Sequence, residues 1–241
     1  MSINIDTSDV NAITKNKKFF SNVLLHTFFM ILISSVSCCL NIFLLKKYLF
    51  VGIALIIFSV FSIIVLSITN NIFLIANKKE FVFFKTICVF FGFLLSMFVF
   101  LADISTVILA AALTTVLFFL MFIVSKTIDK KTTDFFGQLA ARMFFIGFIF
   151  FLISIFLFLI GYSYHSKMLD SIFGFLFAFA FIFATIYDFK QISEVSNSFV
   201  SNEDNDFLVQ YFAYRIYMDY TYFFYRILHY LIIKRRSNNY E

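Results

Sequence analysis

Proline and tryptophan are absent from this chain of 241 residues, glycine occurs six times and cysteine three times. Without proline there is no proline kink, so any hinge falls at a glycine (Gly52, Gly92, Gly147, Gly161 or Gly174) or in a loop. Three cysteines make no disulfide framework. Cys38 and Cys39 are neighbours inside one apolar segment and Cys88 lies in another, which reads as buried thiols rather than a metal site. Charge is also scarce, at 14% of residues, and the net +5 is spread over loops and the C-terminal tail. No block of it resembles a nucleic-acid-binding arm, so no nucleic-acid partner is expected. There is no Gly-x-Ser-Gly or His-Glu-x-x-His motif, and the histidines sit apart from any nucleophile context. An enzyme is therefore not expected, and neither is a bound cofactor. Met1 to Ser8 carries acids and no early lysine, and the first apolar run is too long for a signal peptide, so no cleaved leader is expected.

What fills the chain is apolar: 62% of residues are hydrophobic, with 41 phenylalanines and 12 tyrosines. Such a composition excludes an ordinary soluble domain. Several apolar runs of about 18 residues or more point to an all-α, multi-pass membrane protein with the lipid bilayer as its surroundings. The excess of Phe, Ile, Asn and Lys reads as an AT-rich coding bias, which favours a bacterial plasma membrane as its location.

Seven spans can be drawn. They run from about Phe19 to Leu45, Leu49 to Ala76, Phe81 to Leu101, Ile104 to Val124, Met143 to Gly161, Met168 to Tyr187 and Phe207 to Ile233. A seven-helix domain over residues 19–233 is then flanked by a polar N-terminus, 1–18, and a basic tail, 234–241. The third and fourth spans are joined only through Ala102-Asp103, a tight antiparallel connection. Polar loops are expected from Ser125 to Gln138 and from Lys190 to Asp206. With the N-terminus inside, the inner segments collect most of the Lys and Arg, while the outer loops hold Lys46, Lys47 and Lys167. Lys234-Arg235-Arg236 conflicts with that orientation. Either the tail is an exception or the seventh segment is re-entrant.

The last two spans each carry one deeply placed acid, Asp188 and Asp219. In the last span Arg215, Asp219, Tyr222, Arg226 and His229 recur at steps of four, three, four and three. On an α-helix these five share one stripe about 21 Å long. Charges at bilayer depth cost roughly 2.5–3.5 kcal/mol each on the mildest scale, so this stripe must turn away from lipid and the helix belongs inside the others. The sixth span is nearly free of polar atoms until Tyr187-Asp188. An acid at a helix C-terminus opposes the macrodipole, so Asp188 there would favour a proton, a cation or a basic neighbour.

The stretch Ile186-Tyr187-Asp188-Phe189-Lys190-Gln191-Ile192 resembles the A-Y-D-T-Q-x-I signature that ends the sixth helix of the Bax inhibitor-1 family. Ala213-Tyr214-Arg215-Ile216-Tyr217-Met218-Asp219 with Phe224 is similar to that family's A-L-x-L-Y-L-D-x-x-N-L-F in the last helix. The run from Ala110 to Phe118 resembles its A-F-x-x-T-A-x-x-F, and Asp134-Phe135 adds a weaker match. Order and spacing agree over roughly Ile104 to His229; the first hundred residues match in hydropathy alone. The family's Thr-Gln is here Phe189-Lys190, its Asn is Tyr222, and its late Arg falls on His229, with Arg226 one turn earlier. Some members latch the acid pair with an Arg in the second span, but Leu49 to Ala76 has no basic residue; Arg215, one turn before Asp219, is the obvious substitute.

The resemblance implies seven transmembrane helices with the last central and surrounded by the other six. It also implies a pair of acids that senses pH and controls a slow calcium leak, with Asp188 and Asp219 as transient calcium ligands. Two carboxylates held together away from water cannot both ionise cheaply, so such a pair shares a proton and titrates as a unit. Its deprotonation leaves a doubly negative site that opens or accepts a hard cation through oxygen. Tyr187 and Tyr217, each beside an acid, can donate hydrogen bonds to the carboxylates or anchor at the interface, and His229 can add pH sensitivity. The structural alternative makes Asp219 an ion-pair partner of Arg215 or Arg226 and Asp188 a loop cap. A functional alternative is a non-conducting regulator that binds a membrane protease or a stress-signalling protein through its tail or N-terminus.

Overall fold

The computed structural model describes residues 7–73, 81–159, 163–198 and 202–238. Gly161 and the polar Asn77-Lys78-Lys79-Glu80 stretch lie outside them, as does the start of the N-terminal flank. Among the described residues there are seven α-helices and no strand: α1 Thr7–Lys47, α2 Leu49–Phe73, α3 Phe81–Phe100, α4 Ile104–Thr127, α5 Lys130–Leu159, α6 Ser163–Ser198 and α7 Asn202–Asn238. Four stretches are long and apolar enough to cross a membrane: Lys18–Lys47, Ile104–Thr127, Lys130–Phe150 and Gly174–Ser196. Leu49–Val65 and Phe84–Phe100 are apolar but shorter.

Burial along α1 is the reverse of a water-soluble helix. Phe19, Val23, Thr27, Met30, Ser34, Cys38, Asn41 and Leu45 recur every three or four residues and are buried, so half of the inward stripe is small or polar. Leu25, Phe28, Leu32, Val36, Leu40 and Phe43 are exposed. The same inversion marks α2, where Ser59 is buried and Phe50 is 88% exposed. Large apolar side chains outside and small ones between helices are the pattern of a chain solvated by lipid.

The chain divides into two compact units, one of Met1–Val116 with Val195–Glu241 and one of Leu117–Glu194. In the first, α1 packs on α2, α3 and α7, and α3 packs on α2 and α7. Contacts give the directions: α1 meets α7 through Phe19 on Phe212 and Thr27 on the Ala213 carbonyl. Along α3, Phe84 meets Phe207 and Tyr214 while Phe98 meets Tyr225. Helices α1, α3 and α7 therefore run parallel. Between α1 and α3, Gly92 lies against the Ser34 carbonyl, and a Cβ there would sit 2.8 Å from that of Ser37. Gly92 is thus a close-packing position. One turn on, the Asn41 amide donates to the Ser96 hydroxyl at 2.7 Å.

α7 is one continuous helix of 37 residues, about 55 Å at 1.5 Å per residue, with no reversal inside it. Its far end lies at the α3–α4 turn, where Arg235 pairs with Asp103 and also donates to the Thr106 hydroxyl at 3.1 Å. Asp103 thus binds the basic tail as well as forming the turn. Both ion-pair members are more than half exposed, so a double-mutant cycle of Asp103→Ala and Arg235→Ala, read by thermal melting, should give a coupling of at most about 1 kcal/mol.

In the second unit, the expected loop from Ser125 to Gln138 is almost wholly helical. α4 runs to Thr127 and α5 starts at Lys130. The break is made by Asp129, whose carboxylate accepts hydrogen bonds from the Thr132 hydroxyl at 2.6 Å and its N–H at 3.4 Å, an N-cap for α5. The expected loop after the sixth span is likewise helical as far as Ser198. Polar side chains signal where a helix leaves the bilayer, not where it ends, because its backbone bonds are internal either way.

The Thr132 hydroxyl's hydrogen bond holds the Asp129 carboxyl below the usual carboxylate range. A depressed carboxyl contributes stability above its unfolded value and loses it as pH falls through the lowered folded one. Amide exchange at Lys131, Thr132 and Thr133 should thus be unchanged across neutral pH beyond the intrinsic rate and accelerate only in acid; fraying that begins near neutrality would contradict the cap.

Candidate functional site

α6 carries Thr185, Asp188, Ile192 and Ser196 on one buried face, with Asp188 2% exposed. Because α6 continues ten residues past it, Asp188 is not in the last turn as expected, and the macrodipole does not act against it at that distance. What holds this end of α6 is visible on the neighbouring residues. Phe189 packs edge-on against Phe118 and Phe122, at 6.1 and 5.5 Å between centroids. Lys190 donates to the Ile128 carbonyl at 2.8 Å, a cation closing the C-terminal end of α4. The two residues that depart from the signature thus anchor the helix on which Asp188 stands. Lys130 and Glu194 add an exposed pair at 3.2 Å.

Asp219, on α7 in the first unit, is 6% exposed. No residue of α7 from 207 to 229 is exposed, although this is the most polar of the apolar-looking helices. Of the stripe, Asp219 is buried, and Arg215, Tyr222, Arg226 and His229 are half-buried. Within it, Arg226 Nε donates to the Tyr222 hydroxyl at 3.1 Å and its guanidinium lies over that ring at 5.4 Å. Tyr222 takes the position of the expected asparagine and binds a cation instead. Arg215 lies over the Tyr211 ring at 5.7 Å. His229 stacks on Tyr225 and meets Phe98 edge-on, an aromatic setting.

The tyrosines beside the acids do not serve them as expected. Tyr187 accepts from the Gln191 amide, and its ring covers Gly137 of α5. The Tyr217 hydroxyl is buried without a hydrogen-bond partner, with Ser34, Thr221 and Cys88 near it but none in bonding geometry. Residues one or two apart on a helix point to different faces, so neither Tyr187 and Asp188 nor Tyr217 and Asp219 can look the same way. For the same reason Cys39 is exposed, contrary to expectation, while Cys38 and Cys88 are buried.

Tyr217 instead lines a cavity of about 310 Å³ in the first unit, with Ser34 and Cys38 of α1, Leu95 of α3, Ala111 of α4 and Thr221 of α7. A signal for it lies in the sequence: Ser34, Cys38 and Asn41 stand three or four apart on one face of α1, with Thr27 two turns before Ser34. Small polar residues barely disturb an apolar run, so hydropathy does not register them.

Residues 16–236 match a family described as inhibitor of apoptosis-promoting Bax1. No curated protein and no solved structure matches the chain.

Proposed function

The chain belongs to the Bax inhibitor-1 family, and from that premise we propose that this multi-pass membrane protein is a pH-sensitive cation leak channel, passing calcium, with Asp188 and Asp219 as its acid gate. The burial of both signature acids in a chain whose outward faces are apolar is the observation that supports it most. A carboxyl at bilayer depth is too costly to keep without a use. In this reading the two acids titrate as one unit: protonated they leave the path shut, and deprotonated they offer oxygen ligands to a hard divalent ion. Arg215, on the face of Asp219 one turn away, takes the part of the latch that α2 lacks.

The proposal includes seven spans with α7 enclosed by the other six and the N-terminus inside, in a bacterial plasma membrane. Parallel α1, α3 and α7 fit that threading, and the pairing of Arg235 with Asp103 fits a tail on the outer side with its charge partly neutralised. The test is calcium entry into liposomes carrying the purified protein, from about pH 6 to 8. Flux that grows with pH is expected. Flux no greater than in empty liposomes at every pH would overturn the channel and leave a non-conducting regulator.

A further inference from the structure

The cavity of the first unit serves no step of the proposed gate. Its lining is apolar apart from small neutral groups, and no charged side chain faces it. It is open on one side: Ser35 and Cys39, at its rim, also line a shallow groove that continues past Val36 and Leu40 to Phe43. Val36, Leu40 and Phe43 belong to the exposed apolar face of α1, the side that lipid covers. The mouth therefore opens to the bilayer rather than to water. Ser34 and Ser35 stand near the midpoint of the apolar stretch Lys18–Lys47, so the cavity lies near the middle of the hydrocarbon layer. Tyr217 lines it, and the Tyr217 hydroxyl, buried beside Ser34 and Thr221 at the cavity wall, has no hydrogen-bond partner.

We propose that this cavity binds an uncharged lipid with one hydroxyl or carbonyl group, which enters from the bilayer and hydrogen-bonds the Tyr217 hydroxyl. The physical grounds are complementary. A buried hydroxyl left without a partner is destabilising, and a ligand that supplies one recovers that loss. Ser34 and Thr221, beside Tyr217, offer further hydroxyls to the same ligand atom. A carboxylate, phosphate or ammonium is excluded, because the lining holds no counter-charge and an unpaired ion this deep is prohibitively costly. A phospholipid headgroup is excluded by depth, since it stays at the interface. The volume is at the lower end of small-molecule sites, which suits part of a single chain or a compact ring system rather than a two-chain lipid.

The experiment uses the full-length protein in liposomes containing a trace of a long-chain alcohol that carries a photoreactive diazirine. After irradiation, adducts are mapped by mass spectrometry. Labelling is expected within residues 31–39 and 217–224 and should be displaced by excess unlabelled alcohol. Tyr217→Phe should weaken displacement roughly threefold to tenfold, the worth of one hydrogen bond. Ala111→Phe, which fills the cavity, should abolish labelling; if melting shows that variant to be unfolded, Ala111→Val should reduce labelling in its place. A diazirine alkane of equal length should label several-fold less. Equal labelling by alkane and alcohol, unchanged displacement in Tyr217→Phe, or adducts spread over Phe28, Phe50 and other outward residues without competition would each overturn the site.

Discussion

Asp188→Asn and Asp219→Asn should each flatten the pH profile of calcium flux, and the double variant should flatten it no further. Asparagine keeps the shape of aspartic acid and removes the titrating proton, so either substitution leaves a single acid where the gate needs two. A pair that shares one proton changes its population at most about tenfold per unit of pH, and that slope is what disappears. The non-additivity is the discriminating part. Two independent acids would each remove a share of the dependence, and the double variant would exceed both. If instead Asp219 only balances Arg215 or Arg226, Asp219→Asn leaves a buried cation uncompensated, and stability falls while the pH profile of the surviving protein is unchanged. Flux assays and melting on the same samples separate these outcomes.

The largest structural effect should come from Gly92. A Cβ at this position meets the backbone carbonyl of Ser34 and the Cβ of Ser37, and backbone cannot swing aside as a long side chain can. Gly92→Ala should cost about 1–3 kcal/mol through forced separation of α1 from α3. Gly92→Leu should prevent the close contact altogether and abolish recovery of a folded protein from detergent. The neighbouring Asn41–Ser96 hydrogen bond depends on the same approach and would be lost with it. A Gly92→Leu protein that melts within a few degrees of the original would show that α1 and α3 are held apart from this point. As a control, Leu40→Ala on the exposed face of α1 removes surface that faces lipid and should change little.

Membership of the family was legible from a handful of residues, because the Tyr-Asp of α6 and the Tyr-x-Asp of α7 are rare in apolar surroundings and stand in a fixed order. The helices were legible in kind but not in length. Hydropathy marks only the stretch that touches hydrocarbon, so Asp188 was expected at the end of a helix that in fact runs on to Ser198. The partners of side chains were harder still. Tyr217 stands two residues from Asp219 in the chain, yet it lines a cavity with α1 and α4 residues distant in sequence.

By itself the sequence determined that this is a helical membrane protein with two acids that lipid cannot accept, since composition, periodicity and the cost of charge at bilayer depth need no tertiary information. Tertiary structure alone decided that α1, α3 and α7 run parallel, that Gly92 is a contact rather than a hinge, that Arg235 returns to Asp103, and that Tyr217 opens on a cavity. Each of these depends on which helix stands beside which, and in a chain solvated by lipid nearly every apolar face is an equally acceptable neighbour. The choice therefore rests on small side chains and buried hydroxyls, whose effect is felt only once two helices meet.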